Sequence, residues 1–257
     1  MRRVLFPLAI VMVMGATASA QWESVPRSSV PRTPEGEVNM SAPAPRLPDG
    51  KPDLSGVWNP PVGYLRDLSK DVKEPIQFLP EAKALYDERA AGKHWLDEPD
   101  ANCLPQGVPK VLFAPAPWRI VQTPNIIFFV HEAFNLWWQA FTDGRRFVVG
   151  PDIQPTWHGY STAKWDGDTL VVDSVGFNGR VWLDQLGKPS TDALHVTTRL
   201  TRRDFGHMVI QATIDDPKAY AKPWTTAAVE VALVPDTELM EFICLENEKD
   251  TGPRKSR

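Results

Sequence analysis

Residues 160–175, YSTAKWDGDTLVVDSV, set Asp166-Gly167 between two runs rich in β-branched and aromatic residues. Asp-Gly in that setting is a strong signal for a tight hairpin, because glycine accepts the positive φ that such a turn demands. Thr142-Asp143-Gly144-Arg145 repeats the arrangement between LWWQAFTD (136–143) and RFVVG (146–150). Working outward, short runs bounded by turn residues recur: VLFA (111–114), WRIVQT (118–123), NIIFFVHE (125–132), HVTTRLTR (195–202), HMVIQATID (207–215), AAVEVALV (227–234) and ELMEFICL (238–245). They predict an all-β domain over residues 51–247 built on an antiparallel sheet. About ten consecutive antiparallel strands hide their edges most simply in a closed or nearly closed barrel. The 25 prolines work against long helices. One short helix is expected in PEAKALYDERAAGKHW (80–95), opened by Pro80 and ended by Gly92.

The N-terminus carries a different message. Arg2 and Arg3, an apolar stretch from Leu5 to Met14, and Ala18-Ser19-Ala20 before Gln21 have the order of a secretory signal peptide over residues 1–20. Gln21 offers no acceptor for an N-terminal lipid, and no later segment approaches the roughly 20 apolar residues of a membrane span. The expectation is a soluble periplasmic or secreted protein. Residues 21–50 are rich in proline, serine and charge, and cannot repay the entropy of ordering as a core element. They are expected to form a flexible tether or a surface strap, with order beginning at Lys51, and residues 248–257 a polar tail.

Composition narrows the partners. The chain has 28 basic and 32 acidic residues, and loss of Arg2 and Arg3 with the leader leaves 26 against 32. That acidic balance argues against nucleic acid. Ten tryptophans and 42% hydrophobic residues are enough for a sizeable core. Cys103 and Cys244 are the only cysteines. In an oxidising compartment they are most simply a disulfide, and closing a loop of about 140 residues contributes roughly 5 kcal/mol in the chain-entropy account.

Several longer motifs stand in order: DGKPDLSGVW (49–58), CLPQGVP (103–109), the Asp143-Gly144-Arg145 turn, PTWHGYSTAKWDGDTLVVDSVGFN (155–178), DDPKAYAKPW (215–224) and ELMEFICLEN (238–247). Together they resemble a family of exported bacterial β-rich proteins, over nearly all of residues 48–247. The resemblance implies an exported barrel and no settled activity. The sequence departs from that pattern at Ser161-Thr162-Ala163-Lys164, where a glycine is usual. Gly56-Val57-Trp58 also resembles the Gly-x-Trp of lipocalins, in which the tryptophan plugs one end of the barrel.

No phosphate loop, nucleophile elbow, zincin motif or EF-hand loop occurs, so no cofactor is assigned. The five histidines, at 94, 131, 158, 195 and 207, are dispersed; three could converge on a metal, but no spacing requires it and none is assigned. In NIIFFVHEAF, strand alternation places Glu132 on the side of Ile126, Phe128 and Val130. It is a candidate general acid or base if desolvated there, and a strand-end charge if it reaches water. Glu241 alternates with Leu239 and Ile243 in the same way. His195, Thr197, Arg199 and Thr201 share one face, either the solvated outside or a cavity wall in which His195 exchanges protons. The longest connection, VGFNGRVWLDQLGKPSTDALH (175–195), carries Asn178, Trp182, Asp184 and Asp192 and is expected to cover a barrel mouth. With Trp157, these residues suit a pocket for a hydrophobic or cyclic small molecule.

Two functions follow from this pattern. One is a barrel that binds a small molecule without chemistry. The other is a cofactor-free lyase, isomerase or hydrolase using Glu132, Asp184 and His195, with Trp157, Asn178, Trp182 and Arg199 as ligand contacts. An accessory subunit of an envelope complex is a third, and the oligomeric state is left open.

Overall fold

The computed structural model describes residues 29–146 and 153–246. The expected signal peptide, the polar tail and nearly all of RFVVG lie outside the described residues. At the centre of the fold, β5 (Tyr160–Asp166) and β6 (Thr169–Val175) form the expected hairpin, with Asp166 paired to Thr169. The two-residue loop is therefore Gly167-Asp168, one residue later than the Asp-Gly pair suggests, with Gly167 at φ +60°.

From there the sheet meanders through β7 (His195–Arg202) to β8 (His207–Asp215). Beyond β8 comes β10 (Val229–Leu233), then β1 (Gly56–Asn59), β2 (Trp118–Gln122), β3 (Ile126–His131) and β4 (Trp137–Phe141), which returns to β5. Nine strands close the barrel, while the two-residue β9 (Trp224–Thr225) hangs from β8. All pairs are antiparallel except β4 with β5, joined in parallel through Ala140↔Ser161 and Phe141↔Thr162. The wholly antiparallel expectation is corrected at that seam. A parallel neighbour needs a connection that crosses back to the starting end of the barrel, and residues 142–159 are long enough to do so.

Two other expected strands differ. Lys110–Phe113 is a 3₁₀ turn buried on every side, and a continuous apolar run does not distinguish a strand from a buried helical turn. Residues 238–245 form no strand, since the closed barrel leaves no free edge for them; their backbone is instead held by the Glu132 and Asn135 side chains and by the disulfide. The helix α1 (Pro80–Ala90) starts at its proline as expected, and Gly92 follows it at φ +83°.

The interior is filled rather than hollow. Trp58, Trp118, Phe129, Ile127, Leu200 and Ile210 are at most 1% exposed, and a barrel of this size is one that side chains can fill. The end bearing the Gly167 turn is closed by Trp58, whose indole N–H donates to the Leu54 carbonyl and whose ring lies 5.0 Å from the Arg202 guanidinium. Over this end runs a strap, residues 29–54. Arg46 makes a bidentate pair with Asp168 (2.6 and 2.9 Å), Arg32 pairs with Asp236 (2.8 Å), and the Phe205 and Gly206 amides donate to Ala42 and Met40. The tether expected over 21–50 is thus a fastened strap wherever it is described. The opposite end is covered by residues 60–117, α1 and the 176–194 loop, and is tied by the bond between Cys103 and Cys244 (Cα–Cα 5.7 Å). Among the described residues no helix is long and apolar enough to cross a membrane.

Candidate functional site

The residues singled out as catalytic are placed apart in bonding terms. β3 buries Ile127, Phe129 and His131, so Glu132 keeps company with the outer, half-buried face and accepts a hydrogen bond from the Met240 amide at 3.0 Å. The desolvated titratable group of this strand is His131, and the expectation for Glu132 is corrected accordingly. His131 Nε2 accepts from the Trp138 indole (3.0 Å), and burial, with a smaller contribution from nearby His158, pushes its pKa down to about 3. His158 is pushed down to about 4 by burial, and neither of its ring nitrogens has a partner.

β7 turns its polar face outward: Val196, Thr198, Leu200 and Arg202 are buried, while His195 lies 3.3 Å from Asp173 and Arg199 pairs with Asp166 at 2.8 Å. The alternative of a polar cavity wall is therefore corrected to a solvated face. Asp184 is fully buried and accepts from the Leu68 amide (2.9 Å), the Lys188 amide (3.2 Å) and the Lys188 ammonium (2.8 Å). Lys188 also reaches Asp67 at 2.8 Å. Burial alone would lower the Lys188 pKa, but the two carboxylates outweigh it and raise the pKa above its ordinary value. Asp184 is thus a pin that fixes the loop. Asn178 accepts from the Arg180 amide within its own turn, and Trp157 lies under the Arg180 guanidinium at 4.8 Å. Among the described residues, no group of three or more histidine, cysteine, aspartate or glutamate side chains is placed to hold a metal ion.

Of the cavities among the described residues, two at opposite ends of the barrel border residues with uncompensated charge. The larger, about 570 Å³, lies between the strap and the tips of the β2–β3 and β5–β6 hairpins. Leu47, Pro48, Pro124, Ile127 and Trp165 supply its apolar walls. Its neutral polar groups are spent internally: Gln122 bonds Leu54 and Pro52, Thr123 donates to Ile126, and Thr142 donates to Pro124. Lys51 differs, since its ammonium sits 5.9 Å from the Trp165 ring and has no ion pair among the described residues.

The smaller cavity, about 340 Å³, lies between the last turn of α1 and the Trp182 loop, and is lined by Arg66, Arg89, Trp95, Glu98, Trp182 and Gln185 among others. Trp182, expected as a ligand contact, is 4% exposed, because the Arg89 guanidinium covers its ring at 4.2 Å. Sequence reasoning passed over Arg89 and Lys51. For Arg89 a signal existed: Ala82, Leu85, Tyr86 and Arg89 follow the spacing of one helix face, and it is this face that packs inward. No family model, no curated protein and no solved structure matches this chain.

Proposed function

We propose that this is an exported, periplasmic or secreted, small-molecule binding protein whose principal site is the cavity beneath the strap. The ligand is an apolar, ring-bearing molecule with one anionic group. One observation carries this reading: a cavity of about 570 Å³ with apolar walls in which the Asp49 carboxylate is engaged by the Lys51 amide, while the Lys51 ammonium lies beside Trp165 with no ion pair among the described residues. That combination, a mostly apolar concavity with one placed polar group, is the usual make-up of a small-molecule site. The leader pattern in residues 1–20 and the disulfide support export. Because Glu132, Asp184 and His195 bond to separate partners, we base no acid–base mechanism on them.

Titration of the mature chain with 2-naphthoate, followed by tryptophan fluorescence, tests the reading. Lys51→Met and Trp165→Leu should each weaken binding about tenfold, equivalent to about 1.4 kcal/mol, while 2-naphthol should be insensitive to Lys51→Met. Naphthoate binding that survives both substitutions unchanged would sink the proposal. Mass spectrometry of molecules that copurify with the native protein would identify the natural ligand.

A further inference from the structure

We infer that the smaller cavity, at the disulfide end, is a second and independent site, built for a single-ring phosphate monoester. The argument starts with Arg89. Its guanidinium is sandwiched against Trp182, its Nη1 donates only a long bond of 3.3 Å to the Gly187 carbonyl, and its buried Nε has no partner. No carboxylate pairs with it among the described residues. Burial lowers its pKa to about 10, against a smaller opposing pull from Asp97 and Tyr220. A buried donor left without a partner costs free energy that a bound acceptor would recover.

The surroundings share this imbalance. Arg66, on the facing wall, has no ion pair among the described residues, while its carbonyl accepts from the Leu186 amide at 3.1 Å and so ties it to the Trp182 loop. Glu98 is the one carboxylate in the lining, and it is already engaged by the wholly buried Lys110 ammonium and by the Ala101 amide. Two arginines therefore line the cavity with no ion pair among the described residues, and Asp97 acts on Arg89 only at a distance. A dianion balances both, and a phosphoryl group matches the planar donor forks of arginine.

The ring follows from the remaining walls. Trp95 is 48% exposed at the cavity edge, and its free face offers stacking to a flat group. A volume of about 340 Å³ accommodates one ring with its phosphoryl group. The walls are also held rigidly: Gly187, at φ +88°, lets the loop approach α1 so closely that an added Cβ would lie 2.4 Å from Arg89 Cβ. The Asp184–Lys188–Asp67 bridge fixes the same loop from behind.

Calorimetric titration of the mature chain with phenyl phosphate, inorganic phosphate and benzoate tests the inference. Phenyl phosphate should bind at least tenfold more tightly than either of the others, and more weakly as salt is added. Arg89→Met should cost at least tenfold and Arg89→Lys should not restore it; Trp95→Leu should remove the preference for phenyl over inorganic phosphate. Arg66→Met, an exposed change that leaves the fold intact, should cost about fivefold. Lys51→Met should leave phenyl phosphate binding untouched, so failure of the strap site and failure of this one are separable. Absence of phenyl phosphate binding, or equal binding by wild type and Arg66→Met, overturns the site. Equal affinity for inorganic and phenyl phosphate overturns its ring.

Discussion

Acidification should weaken this fold through two particular side chains. His131 and His158 have folded-state pKa values pushed down to about 3 and about 4, from 6.5. The unfolded chain therefore binds more protons than the folded one below about pH 6.5. Stability from both groups is fully present above that pH and is lost progressively as pH falls toward the folded values. At pH 5 the gap to 6.5 is 1.5 units, and at 1.36 kcal/mol per unit each histidine contributes a loss of about 2 kcal/mol, roughly 4 kcal/mol together. That is a large share of an ordinary domain's stability, about 5–15 kcal/mol. The lowered carboxylates, such as Asp67 and Asp168, titrate below this window and leave it clear. Urea unfolding at pH 7 and pH 5, in wild type and His158→Phe, measures the effect. Since neither ring nitrogen of His158 has a partner, the phenylalanine should cost little at pH 7 and should roughly halve the acid loss. A wild-type loss below about 1 kcal/mol, or an undiminished loss in His158→Phe, would refute the argument.

Other consequences are equally open to measurement. Asp184→Ala leaves buried Lys188 with Asp67 alone and the Leu68 amide without its acceptor, so stability should fall by about 3–5 kcal/mol in urea titration; replacing Lys188 by Met in the same chain should recover part of it. Cys103→Ser with Cys244→Ser releases a loop spanning 141 residues and should lower stability by about 2–5 kcal/mol, visible as a shifted denaturant midpoint. Gly187→Ala must accommodate both φ +88° and a contact at 2.4 Å with Arg89 Cβ, so it should cost roughly 1–3 kcal/mol and weaken phenyl phosphate binding. An unshifted midpoint would remove the close approach from the account.

Local chemistry in the sequence was a good guide where the structure itself is local. The β5–β6 hairpin, α1 and the single disulfide all rest on turn residues, a proline start or the count of cysteines, and the structure contains each of them. Pairing across the barrel is another matter: β4 meets β5 in parallel through only two residue pairs, and nothing in LWWQAFTD names that partner. The strap shows the same limit. Its composition argues against order, yet order comes from individual long-range bonds such as Arg46 to Asp168, 122 residues away. Strand alternation also leaves one binary choice undecided. In NIIFFVHE both faces are apolar, Ile126, Phe128 and Val130 on one and Ile127 and Phe129 on the other, so period alone assigns Glu132 and His131 to opposite sides without saying which side is inner.

The same distinction explains why the acidic residues flagged first are the wrong place to look for a ligand. Asp184 and Asp216 are the buried carboxylates; Asp184 is matched by Lys188 and two backbone amides, and Asp216 by the Thr191 amide and hydroxyl and the Lys218 amide. A buried charge is tolerated only when paired, so a conspicuous acid in a packed loop is most often spent on holding that loop. Ligands are recognised by what the fold leaves uncompensated. Among the described residues Lys51 under the strap and Arg89 behind Trp182 form no ion pair, and each borders a cavity at its own end of a barrel whose middle is full. Loop fixation and ligand recognition thus fall to different residues of the same segments, and a substitution at Asp184 should be read by its melting temperature, one at Arg89 by its affinity.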